Sequence, residues 1–264
     1  MKPSLSVEAV FADRPFLEGV VAAADIGFPA IEFWGWAEKD LKELKSIVED
    51  RGLSIACFSG NFGGALVESK HRQQVLGGFE ASMNTARDLV CPQIMCLTDE
   101  LNPDLSVKPV GREIPAEEKR ESVYESLQEL AKLAESYEVT ILLEPCNSTV
   151  DHFSFFLDRV ADGLDLVRKI KSDRLKLLCD IYHLQVMEGN IIQTIEENIA
   201  DIAHFHVADV PGRHQPGTGE INYANVLTVV AQTGYDGYVG LEMWPIGDPV
   251  EAARKTLEMF PSWR

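Results

Sequence analysis

The chain has 264 residues, 45% of them hydrophobic, with 42 acidic against 24 basic side chains and a formal net charge of -18. So acidic a surface repels phosphate backbones and anionic membranes, which excludes nucleic acid and membrane lipid as expected partners. No apolar run approaches the length of a bilayer span and nothing at the amino terminus reads as a signal peptide, so a cytoplasmic protein is expected.

In chain order, short apolar runs alternate with amphipathic stretches. Strands are expected at Leu5–Val10, Ala30–Phe33, Ser54–Phe58, Gln93–Leu97, Thr140–Leu143, Lys176–Cys179, Ile202–His206 and Tyr238–Leu241. Between them a 3.6-residue spacing predicts helices, among them Asp40–Asp50, His71–Leu89, Ala116–Glu135 and Val226–Gln232. Eight strands alternating with helices is the order of an α/β (β/α)8 TIM barrel. With no Ser/Gly/Pro linker, residues 1–264 read as a single domain. An open doubly wound sheet is the rival, but no Gly-x-Gly-x-x-Gly turn follows any strand. The five cysteines lack a zinc-ligand spacing, and four of them sit in or beside apolar strands, where a reduced cysteine acts as a small core residue.

The connections divide into two kinds. Turns from helix into strand are tight, as at Gly27-Phe28-Pro29 and Arg51-Gly52. Connections from strand into helix are long: Ser59–Lys70, Thr98–Pro115, Pro145–Ser154 and Val207–Tyr223. Barrels of this kind build their sites from the loops at the carboxyl ends of the strands.

Each of the last four strands closes on a metal-ligand type. Glu144 follows Ile141-Leu142-Leu143, Asp180 follows Leu177-Leu178-Cys179, His206 ends His204-Phe205-His206, and Glu242 follows Val239-Gly240-Leu241. One acidic residue at a strand end is ordinarily a cap. Four ligand types at equivalent places in four consecutive strands point instead to one shared centre. This oxygen-rich set suits one divalent metal ion, Mn2+ or Mg2+ first and Co2+ as a further fit. His204 lies deeper on the face of His206, as a hydrogen-bonded core residue or a support for its neighbour. Arg213 falls just past His206, and its guanidinium suits a substrate carboxylate or oxygen. His183 falls three residues past Asp180 on the entry to a loop, divided between substrate contact and surface histidine. Trp34 and Trp36 suit the wall of a small polar pocket, Glu220 reads as loop chemistry, and Glu32 stays unassigned between interior and cap.

A metal ion held there would polarise adjacent carbonyl and hydroxyl oxygens and stabilise an enediolate. One carboxylate would remove a carbon-bound proton, and the same or the opposite one would return it. Return to the neighbouring carbon is isomerisation, return to the other face of the same carbon is epimerisation, and loss of CO2 is decarboxylation. The expected function is a metal-dependent isomerase of a small α-hydroxycarbonyl compound, hydroxypyruvate-like or a short ketose. The alternatives are a ketose 3-epimerase and a sugar-acid decarboxylase. A three-zinc nuclease wants many histidines and a basic face, against six histidines and the charge of -18.

The motifs AIEFWGW, CPQIMCL, LLEPCN, CDIYH, HFHVADVPGRHQPGTGEINY and YDGYVGLEMWP carry a resemblance over nearly the whole chain. The sequence resembles the xylose-isomerase-like TIM-barrel superfamily and, within it, looks most like the hydroxypyruvate isomerases. The resemblance implies that Glu144, Asp180, His206 and Glu242 bind one divalent metal. It also implies that Glu144 and Glu242 form the acid/base pair and that His183 and Arg213 contact a carbohydrate or hydroxy-keto acid substrate. Related enzymes are often dimers or tetramers, so a homo-oligomer is compatible. Two departures stand out. Hydroxypyruvate isomerases usually carry glutamine at the place of His206, where ketose epimerases carry histidine. Val150 stands where the epimerase loop has an acidic residue.

Overall fold

The computed structural model describes residues 1–260. Eight strands, β1 (Lys2–Ser6), β2 (Ala30–Phe33), β3 (Ser54–Ser59), β4 (Gln93–Cys96), β5 (Thr140–Leu143), β6 (Leu175–Asp180), β7 (Ile202–Val207) and β8 (Tyr238–Leu241), form a closed barrel in sequence order. Every neighbouring pair is parallel, and β8 pairs with β1 to complete the ring. Around it lie helices α1 (Val7–Val10), α2 (Phe16–Ile26), α3 (Leu41–Arg51), α4 (Arg72–Asp88), α5 (Ala116–Tyr137), α6 (Val160–Ile170), α7 (Ile181–Met187), α8 (Ile191–Asn198), α9 (Tyr223–Gln232) and α10 (Pro249–Glu258). This is the (β/α)8 TIM barrel. Among the described residues no helix is long and apolar enough to cross a membrane.

Two apolar layers hold it together. The larger lies between sheet and helices and takes the outward residues of the strands, such as Ile141, Leu143, Leu177 and Phe205. The smaller fills the barrel with Cys57, Met95, Leu142 and Leu178. Successive strand residues point to opposite faces, so a strand with Leu142 inside must aim Glu144 inward as well. The same count puts Asp180 above Leu178 and His206 above His204. Burial on both faces explains why the strands read as continuous apolar runs.

Three of the expected strands keep the same bounds in the structure, and one is displaced. The first strand is Lys2–Ser6 rather than Leu5–Val10, because Val7–Val10 turns into α1. The N–H of Phe11 donates to the carbonyl of Val7, closing the helical turn. Val7, Ala9 and Val10 are buried while Glu8 accepts from the backbone N–H of Trp34. Four such residues satisfy either period. His183 also departs from expectation: it lies within α7, not in a loop. The Asp180 carboxylate accepts from the N–H groups of Tyr182 and His183, so the chain goes from strand to helix without a connection.

The β7–α9 loop is pinned from within. The buried carboxylate of Asp209 accepts from the N–H groups of Val210, Gly217, Gly219 and Ile221 at 2.8–3.0 Å. Arg213 rides on this loop in the left-handed region, at φ 55°.

Candidate active site

The inward residues at the top of β5 to β8 converge. One donor atom each from Glu144, Asp180, His206 and Glu242 lies within 4.8 Å of the others, and all four side chains are buried. His206 Nδ1 stands 3.2 Å from Glu242 Oε2 and 3.7 Å from Glu144 Oε1. Arg213 Nη2 donates to Asp180 Oδ2 at 3.0 Å and to Glu242 Oε2. Trp34 Nε1 donates to Glu242 Oε1 at 2.8 Å, so Trp34 does more than wall the pocket. The sequence-predicted residues Glu144, Asp180, His206, Glu242, His183 and Arg213 are therefore brought together.

The charges of this cluster are interdependent. Burial pushes the Glu144 carboxyl up to about 7 against the pull of His206. Burial also raises Asp180, in spite of Arg213. Glu242 goes the other way: burial opposes its ionisation, but His206 and Arg213 hold it well below the usual carboxylate range. The His206 imidazole, also opposed by burial, is carried well above its usual value by Glu242 and Glu32. The two cations thus pair foremost with Glu242, leaving Glu144 the carboxylate most ready to hold a proton.

A polar layer lies directly below. Ser4 and His204 Nε2 donate to Glu32 Oε2 at 3.0 and 2.9 Å, and Cys57 Sγ stands at 3.6 Å. Glu32 Oε1 lies 3.2 Å from His206 Nε2, short of full hydrogen-bond geometry. The two histidines and burial work against each other here, and the histidines prevail, setting the Glu32 carboxyl at about 2. His204 is thus the hydrogen-bonded core histidine that its depth predicted. Glu32 was the residue that sequence reasoning left open. Its one signal was a carboxylate inside a four-residue apolar strand.

The cavity above has a volume of about 510 Å3, and Glu144, Glu242, His183 and Arg213 line it together with Trp34 and Trp244. Burial, followed by the charge of Arg213, holds the His183 imidazole well below its usual value and therefore neutral. Glu220 lies apart, its side chain bonded to Gln185 at the surface.

The four-residue cluster fits a divalent cation. Three carboxylates crowd one point, and neither ring nitrogen of His206 has a hydrogen-bond partner. Its Nδ1 faces Glu144 and Glu242, while the far nitrogen is backed by a carboxylate, the usual support for a ligating histidine. The donors are three oxygens and one nitrogen, the hard set favoured by Mn2+ or Mg2+.

A family model described as xylose isomerase-like TIM barrel matches residues 20–263. Over 244 residues the chain is 30% identical to 2-oxo-tetronate isomerase of Cupriavidus necator, covering 91% of each chain. Over 253 residues it is 29% identical to hydroxypyruvate isomerase of Escherichia coli, covering 92% of this chain and 93% of that one. A crystal structure of an AP endonuclease, family 2, from Brucella melitensis superposes with a TM-score of 0.87 at 23% identity, over 98% of this chain and 99% of that one. That last likeness bears on the fold alone.

Proposed function

Because this chain belongs to the xylose isomerase-like TIM-barrel family, we propose that it is a divalent-metal-dependent isomerase of a small α-hydroxycarbonyl compound. The observation that carries this reading is the convergence of Glu144, Asp180, His206 and Glu242 on one point beside the cavity. The names of the relatives in Cupriavidus necator and Escherichia coli support a 2-oxo acid with a neighbouring hydroxyl as substrate. Hydroxypyruvate and 2-oxo-tetronate are the first compounds to offer.

Glu144, Asp180, His206 and Glu242 would hold the metal, Mn2+ or Mg2+ by donor type. When bound, the ion supplies positive charge opposite oxygens on which negative charge develops. Glu144 and Glu242 end strands three places apart in the barrel, and both open into the cavity. One takes the proton from the hydroxyl-bearing carbon and the other delivers a proton to the neighbouring carbon, while the hydroxyl proton passes to the former carbonyl oxygen. Trp34 holds Glu242 Oε1 by its indole N–H and Arg213 holds Oε2, so the two together fix the orientation of this carboxylate at the cavity. Arg213 and the neutral His183 donate to substrate oxygens. Trp34 and Trp244 cover them and exclude water.

His206 gives the epimerase alternative its specific support, since ketose epimerases carry histidine at this place. A nuclease is disfavoured by the acidic charge. The experiment is a screen of Mn2+-loaded protein against hydroxypyruvate, 2-oxo-tetronate, short ketoses and branched sugar acids, following isomer exchange and CO2 release. Isomer exchange is expected, whereas CO2 release without it assigns a decarboxylase. No turnover of any member overturns the reading.

A further inference from the structure

Asn147, three residues past Glu144, has no role in what precedes. It is fully buried, and its amide is oriented by the backbone. Its Oδ1 accepts from the N–H groups of Val150 and Asp151 at 3.0 and 2.9 Å. Turning the amide over would set an NH2 group against two N–H donors, so Nδ2 must be the atom on the other side. That nitrogen lies 2.6 Å from Asp151 Oδ2 and 2.7 Å from His183 Nδ1. An amide nitrogen only donates, and it has two hydrogens for these two acceptors. His183 Nδ1 must therefore offer a lone pair, and in the neutral ring the proton sits on Nε2.

We propose that Asn147 is a positioning residue that fixes His183 as its Nε2–H tautomer, so that the ring edge that lines the cavity, 3.5 Å from Asp180 Oδ2, can only donate a hydrogen bond to an oxygen of the substrate. This rests on the isomerase reading above. The substrate group that meets His183 must then be an acceptor: a carbonyl, a hydroxyl lone pair or a carboxylate. The same bond removes His183 from a second candidate metal cluster. Cys146, His152 and His183 also bring donor atoms within 4.8 Å of one another. A metal there would need the Nε2 lone pair, which the proton occupies, or Nδ1, which Asn147 already faces. His152 Nδ1 donates to the carbonyl of Leu105 at 2.8 Å, so without His183 the cluster is reduced to Cys146 and His152.

The test is a polarity swap, Asn147→Asp combined with Asp151→Asn. Charge and size are kept, as is an oxygen for the two backbone N–H groups, but His183 Nδ1 now meets a carboxylate. Long-range 1H–15N spectra of the histidine-labelled full chain in Mg2+ buffer read the ring directly, with His183 identified by the signal that His183→Gln removes. In the wild type, Nδ1 should be pyridine-like and Nε2 pyrrole-like. In the swap, Nδ1 should become protonated, and kcat/KM should fall by about tenfold, the worth of one hydrogen bond to substrate. Circular dichroism checks that the swap folds, and Asn147→Asp alone carries the same readout if it does not. A wild type protonated at Nδ1, a swap with an unchanged ring, or a changed ring with unchanged kcat and KM each overturns the proposal. A wild type inert toward the whole carbonyl panel removes the functional reading and the substrate side of this one. An Nδ1-protonated wild type sinks this proposal alone.

Discussion

Gly240 stands at the height of His206 on the inside of the barrel, paired with it across β7 and β8. A Cβ built there would lie 1.9 Å from Glu32 Oε1 and 2.5 Å from both Cδ and Oε2 of that carboxylate. No side chain tolerates that, so in Gly240→Ala the carboxylate must leave its place by an ångström or more. Leaving breaks its bonds from Ser4 and His204 and strands a buried charge. Each hydrogen bond to a charged group is worth about 1.5–3 kcal/mol, so two put the cost at about 3–6 kcal/mol. At about 2–4 °C per kcal/mol for a chain of this size, the melting temperature should fall by roughly 6–24 °C. Differential scanning calorimetry reads this directly. Gly77→Ala is the control: it lies exposed in α4 with nothing within 4 Å of its Cβ, and should stabilise by about 0.5–1 kcal/mol. In a Glu32→Ala background the cost of Gly240→Ala should shrink below about 1 kcal/mol, because the obstructing group is gone. A Gly240→Ala protein that melts within about 2 °C of wild type would refute the close approach of Glu32 to β8.

Glu144→Gln and Glu242→Gln should keep some metal yet lose about 10²–10⁴ in turnover, the worth of acid–base help; near wild-type rates with metal bound in either variant would make that glutamate structural only. For a two-base mechanism, one of the two should still exchange the substrate's carbon-bound proton with deuterated water while forming no product. Asp180→Ala and His206→Ala should lose the metal with little loss of fold, read as metal content by mass spectrometry beside far-ultraviolet circular dichroism. The five cysteines are buried and free, and burial pushes the Cys91 thiol up to about 12. The native chain should therefore resist a thiol reagent at pH 8, and all five thiols should react once guanidinium unfolds it; rapid reaction of the native form would contradict the packing.

Much of the fold is legible because a closed barrel buries both faces of each strand. That writes β2, β5 and β8 as short apolar blocks whose limits coincide with the expected ones. The ligand-type residues are legible for a related reason: a carboxylate or imidazole directly after such a block has only the mouth of the barrel to occupy. The missed features all depend on a partner distant in the chain. Glu32 gains its meaning from His204, 172 residues on, and Trp34 from Glu242, 208 residues on. Asn147 is indistinguishable from a loop asparagine until Val150, Asp151 and His183 surround it. The displaced first strand is a different failure, since four residues after Ser6 are too few for either period to declare itself.

The buried polar layer of Ser4, Glu32 and His204, with Glu32 as its one carboxylate, sets stability and activity in opposition. Desolvating a buried charge is costly, and exchange of such a group and its partners for well-packed apolar residues is often neutral or stabilising by about 1–4 kcal/mol. An engineer who selects this barrel for heat resistance alone would thus be led toward leucine-like residues at the level on which His206 rests. The hotter variants would keep the barrel and discard the group that backs His206. Any thermostability campaign on this scaffold therefore needs a metal-retention screen run beside the thermal one, with Glu32 and His204 held fixed.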